Sequence, residues 1–258
     1  MAQLPHPSAK VPVTVVIPTL NEGWQMAEAL QALGWADEVI VADGGSTDDT
    51  VAIAKREGAK LLEIRGQTIA GQRNAAIAAA RNQWVLALDA DERVTDELRQ
   101  ELPQVLAAPA HAAYRVRCEN VYLGRERKRG RWGRDWHVRL FTRDKRFVED
   151  RVHEHLETVA DVGTLNGPIR HSPYRDLTHH LEKIVRYARW GAEDLHARGR
   201  EASVLDLIAR PAWRFWRDYV MLGSFLDGRL GIVTSALSAY ASFLKYAYLW
   251  DLSERPAK

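Results

Sequence analysis

Two carboxylates one residue apart, Asp89 and Asp91, close the apolar run Trp84-Val-Leu-Ala-Leu, and Glu92 follows directly. The run has the length and character of a strand buried in a sheet. In a strand-like geometry residues i and i+2 point the same way, so the two carboxylates are expected to share one small space. Like charges held that close repel, and a hard cation such as Mg2+ or Mn2+ relieves the repulsion. Such a cation takes few protein carboxylates and keeps positions for phosphate oxygens. The chemistry these residues suit is the gripping of a diphosphate through a metal. The competing reading is structural: a strand leading into a helix whose first turn is capped by Asp91 or Thr95.

The elements that must position these groups can be read from the chain before them. Val13-Thr-Val-Val-Ile-Pro18 is a β-branched strand, with Pro18 ending its hydrogen bonding and opening the loop Thr19-Leu-Asn21-Glu22-Gly23. A helix is expected from Trp24 to Leu33, then a second strand from Asp37 to Asp43, which also finishes on a carboxylate. Gly44 and Gly45 permit a tight turn and close approach to a ligand. Ser46 or Thr47 is expected to cap a helix from Asp48 to Glu57, stopped by Gly58. A third strand, Lys60 to Ile64, and a helix from Ala70 to Arg81 complete the approach to Trp84. This alternation predicts a parallel α/β sheet. Ligands of such sheets bind beyond the carboxyl ends of the strands. Three of those ends carry Thr19, Asn21 and Glu22, then Asp43, then Asp89 and Asp91, and their convergence on one rim is the central expectation. No G-x-G-x-x-G follows the first strand, which argues against a dehydrogenase.

The chain has 258 residues, enough for one domain with an appendage, and 46% of them are hydrophobic. A formal net charge of +2 argues against a general nucleic-acid binder. The single cysteine, Cys118, rules out an internal disulfide and agrees with a reducing compartment. Residues 1–10 read as a flexible arm and lack the apolar core of a secretory signal.

Four segments together resemble family 2 glycosyltransferases, the inverting nucleotide-sugar enzymes with the GT-A fold. They are Val16-Ile-Pro18-Thr19-Leu-Asn21-Glu22, Val41-Ala-Asp43-Gly-Gly45-Ser-Thr-Asp-Asp-Thr50, Gln72-Arg73-Asn-Ala-Ala76 and Leu88-Asp89-Ala90-Asp91-Glu92. The departure is Ala42-Asp43-Gly44-Gly45, where many relatives have Asp-Asp or Asp-Thr before Gly-Ser. The resemblance implies a mixed sheet flanked by helices. It implies that Thr19, Asn21, Glu22 and Asp43 hold uracil and ribose, with Pro18, Gly45 and Ala90 in the same nucleotide-sugar site. Arg73 would approach the diphosphate, Asp91 would be the direct metal ligand, and Asp89 would support the sugar or ribose. The chemistry agrees, since a buried carboxylate can accept the imide proton of uracil and an arginine at a helix start adds charge where backbone N–H groups already suit phosphate.

Beyond a helix near Thr95 to Leu106, Ala112 to Cys118 alternates as a strand, and His137 to Arg143 looks like another. Between them Arg125 to Arg134 is dense in arginine. It reads as a solvated loop, or as a clamp for a phosphorylated glycolipid or anionic headgroups. An inverting transfer needs a base for the acceptor hydroxyl, and a carboxylate can serve. Glu149/Asp150 and Glu154 compete. The Val-His-Glu arrangement resembles a bacterial subgroup in which this glutamate is the base, so Glu154 is favoured and Asp150 is the runner-up. His153 would orient the base or reach the diphosphate, Arg139 would contact acceptor or phosphate, and His171 would touch the metal or be structural. A zinc site from His153, His155 and His171 is disfavoured, because His-Glu-His lacks the i, i+4 spacing.

Leu177 to Arg198 reads as a helix, and Pro211 opens a stretch rich in Trp, Tyr and Phe with interspersed arginines. Its longest uncharged run, Leu230 to Leu244, is shorter than the roughly 20 residues a bilayer span needs. Two helices lying on a membrane surface are expected, against an alternative in which they pack on the catalytic domain or a second copy. The tail also resembles that of bacterial lipopolysaccharide inner-core glycosyltransferases. The expected plan is a catalytic domain over 11–175, with a nucleotide half 11–92 and an acceptor half 93–175, then a membrane-associating helical region over 176–258. The expected activity is metal-dependent inverting transfer of a sugar, glucose first, from its UDP form to a heptose of the lipopolysaccharide inner core, on the cytoplasmic face of the inner membrane. A non-catalytic nucleotide-binding scaffold and a nucleotidyltransferase are the alternatives.

Overall fold

The computed structural model describes residues 10–127, 135–148, 155–157 and 159–254. Its first elements are β1 (Val11–Thr19), α1 (Gly23–Gln31), β2 (Ala36–Asp43), α2 (Thr50–Arg56), β3 (Lys60–Glu63), α3 (Ile69–Ala78) and β4 (Trp84–Ala87). β1 pairs in parallel with β2 and with β4, and β2 with β3. The order is therefore β3-β2-β1-β4, and all four carboxyl ends reach the same edge. β1 shows why the strands read as unbroken apolar runs. Val13, Val15 and Ile17 pack on one face with Met26, Leu30 and Leu86, while Val16 packs on the other with Ile40, Ala76 and Phe141.

The sheet continues with β5 (Glu92–Val94), α4 (Asp96–Ala107), β6 (Ala113–Tyr122), β7 (Arg125–Glu126), β8 (Asp135–Thr142), β9 (Phe147–Val148), β10 (His155–Leu156), β11 (Val162–Thr164) and β12 (Ile169–His171). β8 runs antiparallel to β4, and β12 antiparallel to β5, so the ten-stranded sheet is mixed. β9 and β10 form a separate antiparallel pair. With helices flanking it, this is the mixed α/β sheet expected of a GT-A chain. Helices α5 (Leu177–Ala197), α6 (Val204–Trp216) and α7 (Arg229–Glu254) follow. A π-helical turn, Arg217–Met221, and a 3-10 turn, Ser224–Asp227, join α6 to α7. The described residues fall into two compact units. One holds the chain through Cys118 together with Trp136–His171, and the other holds Glu119–Asp135 and the chain from Ser172 onward.

Several local expectations are corrected. Pro18 stays inside β1, opposite Ala42, because a missing N–H removes one ladder bond and leaves the rest. Neither Ser46 nor Thr47 caps α2. The Asp48 carboxylate takes the Thr50 N–H (3.0 Å) instead, and the helix starts at Thr50. β4 stops at Ala87, so Asp89 and Asp91 stand in a turn rather than along a strand. The Glu92 N–H closes that turn on the Asp89 carbonyl at 3.0 Å. Thr95 does cap α4, accepting from Leu98 N at 3.3 Å, so the structural reading of this stretch holds beside the functional one. Pro211 lies within α6, which begins earlier with a capping box between Ser203 and Asp206.

In the second unit Tyr122 and α5 meet at His180. Its Nδ1 is 2.9 Å from the Tyr122 hydroxyl, and its ring stacks on Tyr174 at 3.8 Å. Burial, reinforced by the positive Lys183 and by His179, pushes the His180 pKa down to about 4 from 6.5. A lowered histidine pKa means the fold holds the neutral ring. Its contribution is complete above pH 6.5 and is lost as pH falls toward 4, where the folded state also takes up the proton. Replacing His180→Gln is expected to flatten the dependence of melting temperature on pH across that window, measured by circular dichroism.

Candidate functional site

The loops after β1 and β2 are stitched into one surface. Gly44 N donates to the Thr19 carbonyl at 2.9 Å. Asp43 is buried, and its Oδ2 accepts from the N–H groups of Gly45 and Ser46, both at 2.9 Å. The Ser46 hydroxyl donates to Asp43 Oδ1 and accepts from Asn21 N at 2.8 Å. Asn21 returns the link, its Oδ1 accepting from Thr47 N at 2.8 Å. The turn needs a left-handed backbone twice, at Asn21 (φ 57°) and at Gly45 (φ 106°), and asparagine and glycine tolerate it best. A Cβ at Gly44 would stand 2.7 Å from Gln72 Nε2, so the end of that glutamine side chain would have to shift to admit one. Glu22 anchors the start of α1, accepting from Trp24 Nε1 (3.1 Å) and Gln25 Nε2 (2.8 Å). Asn21, Glu22 and Asp43 thus organise the loops themselves. The Thr19 hydroxyl is buried with no hydrogen-bond partner among the described residues.

Beside these loops lies a buried charge cluster. Arg73, from the first turns of α3, donates to Asp89 Oδ1. Arg139, from β8, donates to Asp89 Oδ2 at 3.2 Å and to Glu92 Oε1. Glu92 Oε2 accepts from Asp89 N at 2.9 Å. Arg73, Glu92 and Arg139 are all buried. Burial by itself would raise the Asp89 pKa, but the Arg73 and Arg139 guanidiniums outweigh it and hold the carboxyl well below the usual range. Burial raises Glu92, with the charge on Asp89 adding to it and Arg139 opposing. The Arg73 guanidinium stands over the Phe147 ring, 4.9 Å from its centroid. Phe147 is held in turn by Asn74, which accepts from its N–H (2.8 Å) and donates to its carbonyl (2.9 Å).

Asp91 turns to a different partner, with Oδ2 lying 3.5 Å from His171 Nε2. His171 faces Glu92 across the β5–β12 ladder. Burial disfavours the charged imidazole, but the bond to Asp91 and the surrounding carboxylates raise its pKa to about 9.

The structure therefore brings Pro18, Thr19, Asn21, Glu22, Asp43, Gly45, Arg73, Asp89, Ala90, Asp91, Arg139 and His171 into one unit. The parallel pairing sets the ends of β1, β2 and β4 on one edge. Asp89 and Asp91 are not a strand pair, although His171 feels the charge of both. The turn separates their tasks, and the two arginines claim both oxygens of Asp89. Arg139 is a buried partner of Asp89 and Glu92, which places it behind the carboxylates. Asp150, His153 and Glu154 lie outside the described residues, as do positions 128–134 of the basic run. Three contributors went unassigned from the sequence: Ser46, Glu92 and Phe147. Glu92 alone carried a signal, a third acid beside Asp91, but its burial depends on β5 pairing with β12.

The sequence matches the glycosyl transferase family 2 description over residues 14–176. The chain belongs to this family. It is similar to an uncharacterized glycosyltransferase of Rickettsia typhi, with 30% identity covering 93% of this chain and 87% of the relative. It is also similar to the lipopolysaccharide core biosynthesis glycosyltransferase LpsC of Rhizobium meliloti, at 27% identity over 96% of each chain. Among solved structures, S. aureus TarS 1-349 in complex with UDP-GlcNAc aligns with a TM-score of 0.47 and 14% identity, covering 93% of this chain and 91% of that one. Glucosyl-3-phosphoglycerate synthase of Mycobacterium tuberculosis, in complex with Mn2+, UDP and phosphoglyceric acid, aligns with a TM-score of 0.34 and 23% identity over 45% of this chain and 44% of that one. Family 2 membership makes the chain a glycosyltransferase rather than a nucleotidyltransferase.

In this transferase the arginines and carboxylates of the cluster balance only as a set, because removing one partner leaves an uncompensated buried charge. Arg139→Met is expected to destabilise the protein by about 3–5 kcal/mol in urea denaturation.

Proposed function

We propose that this glycosyltransferase moves a hexose, glucose first, with inversion from its UDP form to a heptose of the lipopolysaccharide inner core. The observation that carries the reading is the Asp91–His171 pair standing beside Arg73–Asp89 on the edge where β1 and β2 end. The Thr19–Glu22 and Asp43–Ser46 loops would receive uracil and ribose, with the Thr19 hydroxyl supplying a donor that finds no hydrogen-bond partner among the described residues. The similarity to LpsC, a lipopolysaccharide core biosynthesis glycosyltransferase, supports an acceptor of this class.

The donor set fits a divalent cation. One carboxylate oxygen and one imidazole nitrogen 3.5 Å apart can both be ligands once the cation displaces the imidazole proton, and they leave most positions to phosphate oxygens. The cation would be Mg2+ or Mn2+. When bound, the cation would neutralise charge on the departing diphosphate. Asp89 is spoken for by Arg73 and Arg139, so its part is to hold those arginines and support the sugar or ribose. Arg73 would add positive charge near the diphosphate.

Glu154 would take the proton from the acceptor hydroxyl as that oxygen attacks the anomeric carbon, with His153 orienting it and Asp150 as the second candidate. Support comes from the strands on either side of this segment. Val148 and His155 pair with each other, and Phe147 is bound to α3 through Asn74 next to Arg73. The acceptor is lipid-linked, which puts the enzyme at the cytoplasmic face of the inner membrane as a peripheral protein. No helix among the described residues is long and apolar enough to cross a membrane.

Asp91→Ala is expected to abolish both transfer and metal-dependent UDP binding, the latter read by calorimetry. Glu154→Gln is expected to bind UDP normally and to lose about 10²–10⁴ in rate. Full turnover by Glu154→Gln would overturn the base assignment. A UDP-release screen of donors against core lipid lacking its outer sugars identifies the sugar, and no release with any donor would leave a non-catalytic scaffold.

A further inference from the structure

α6 and the turn after it are built inside out. Their acidic residues are turned inward: Asp206 is 8% exposed and Asp218 7%. Both are neutralised there. Asp206 pairs with Arg210 and accepts from Ser203 N at 3.1 Å. Asp218 accepts from Arg217 at 2.7 Å and from Ser238 of α7 at 2.7 Å, and it pairs with Arg214 at 3.4 Å. Arg214 also donates to Ser238 at 2.8 Å, so the charged side is the side that meets α7. What faces outward is apolar. Val204, Leu205 and Ile208 are 73%, 72% and 66% exposed, and Trp213, Trp216 and Met221 continue the same arc. A helix packed on a water-soluble core does the reverse. A continuous apolar surface of this kind marks a site of interaction.

The charges say what covers it. Along α6 and its turn three arginines stand against two carboxylates, so the flank keeps a net positive charge even with its ion pairs formed, and the side chains of Arg210, Arg214 and Arg217 stay 47%, 35% and 30% exposed behind the apolar arc. A second copy would bring the same cationic flank against itself. Anionic headgroups match it, with tryptophans suited to the interfacial zone and arginines able to reach phosphates along their aliphatic stems.

We propose that the outward arc of α6 and the turn after it, from Val204 to Met221, inserts in the plane of a membrane containing anionic phospholipid, with Arg210, Arg214 and Arg217 at the level of the phosphates. The inference rests on the peripheral location proposed above and uses nothing from the donor site.

The test is flotation of the full chain with vesicles of phosphatidylcholine alone or mixed with phosphatidylglycerol. The wild type is expected to float with the mixed vesicles and weakly with phosphatidylcholine. The double variant Leu205→Glu/Ile208→Glu is expected to partition more than about tenfold less, with an unchanged melting temperature because both side chains are exposed. Trp213→Gln/Trp216→Gln reads the same face by a second route. If both variants float like the wild type, the peripheral location stands and this face is not the contact. If the wild type floats with neither vesicle, the location fails with it, and UDP binding still reports on the donor site. A wild-type dimer that the glutamate variant dissociates, without flotation, would assign the face to a second copy and overturn the proposal.

Discussion

The rim of this enzyme depends on a balance of buried charge. Two guanidiniums, Arg73 and Arg139, and two carboxylates, Asp89 and Glu92, lie together just past β4. Any one of them alone would be costly to remove from water, and the set is tolerable because each charge has partners of the opposite sign. The partners come from α3, from β8, and from the turn between β4 and β5, which sequence separates by 16 to 50 positions. Satisfying the charges therefore forces these elements into one arrangement. The specificity of that arrangement, more than its net energy, is what the network contributes.

Asp91 benefits from it. Its neighbour Asp89 is held on both oxygens, and Glu92 holds the Asp89 amide, so the turn that carries Asp91 is anchored on either side. His171 reaches Asp91 because β12 is registered against β5, with His171 opposite Glu92. If Asp91 is the metal ligand proposed above, a carboxylate set in such a frame would need little rearrangement when the cation arrives, which is how preorganised sites gain their effect. The loops after β1 and β2 follow the same logic by different means. There the Asp43 carboxylate gathers backbone N–H groups of its own loop, and Ser46 buckles that loop to Asn21. The tail contrasts with both regions. It spends its ion pairs inside, on Asp206 and Asp218, and leaves its apolar arc outside.

Much of the catalytic unit was legible in the chain. The β-branched run before Pro18, the acids that end β2 and follow β4, and the helical stretches between them set a parallel sheet with its polar tips on one edge. Strand periodicity is a local property, and so is the chemistry of Gly58, whose positive φ of 79° ends α2. Family membership was legible for the same reason, since its motifs are contiguous. Local rules failed where a side chain found a better partner elsewhere. Asp48, one residue before the N-cap Asp49, took the Thr50 N–H, and Ser46, expected as a cap, was engaged by Asp43 and Asn21. The strand geometry expected of Asp89 and Asp91 is replaced by a turn, because the strand ends at Ala87 and the chain turns back into β5.

Sequence alone thus determined which residues stand at the strand ends and what kind of chemistry they suit, because both follow from residue type and short-range geometry. Only the tertiary structure decided how the acids divide their work: Asp89 and Glu92 to the arginines, Asp91 to His171. That division depends on pairings between residues up to 80 positions apart, such as Asp91 with His171, and on burial that no local pattern encodes. It also decided which side of α6 faces out. Spacing defines two faces of a helix, but only packing against α7 determines which of them meets water.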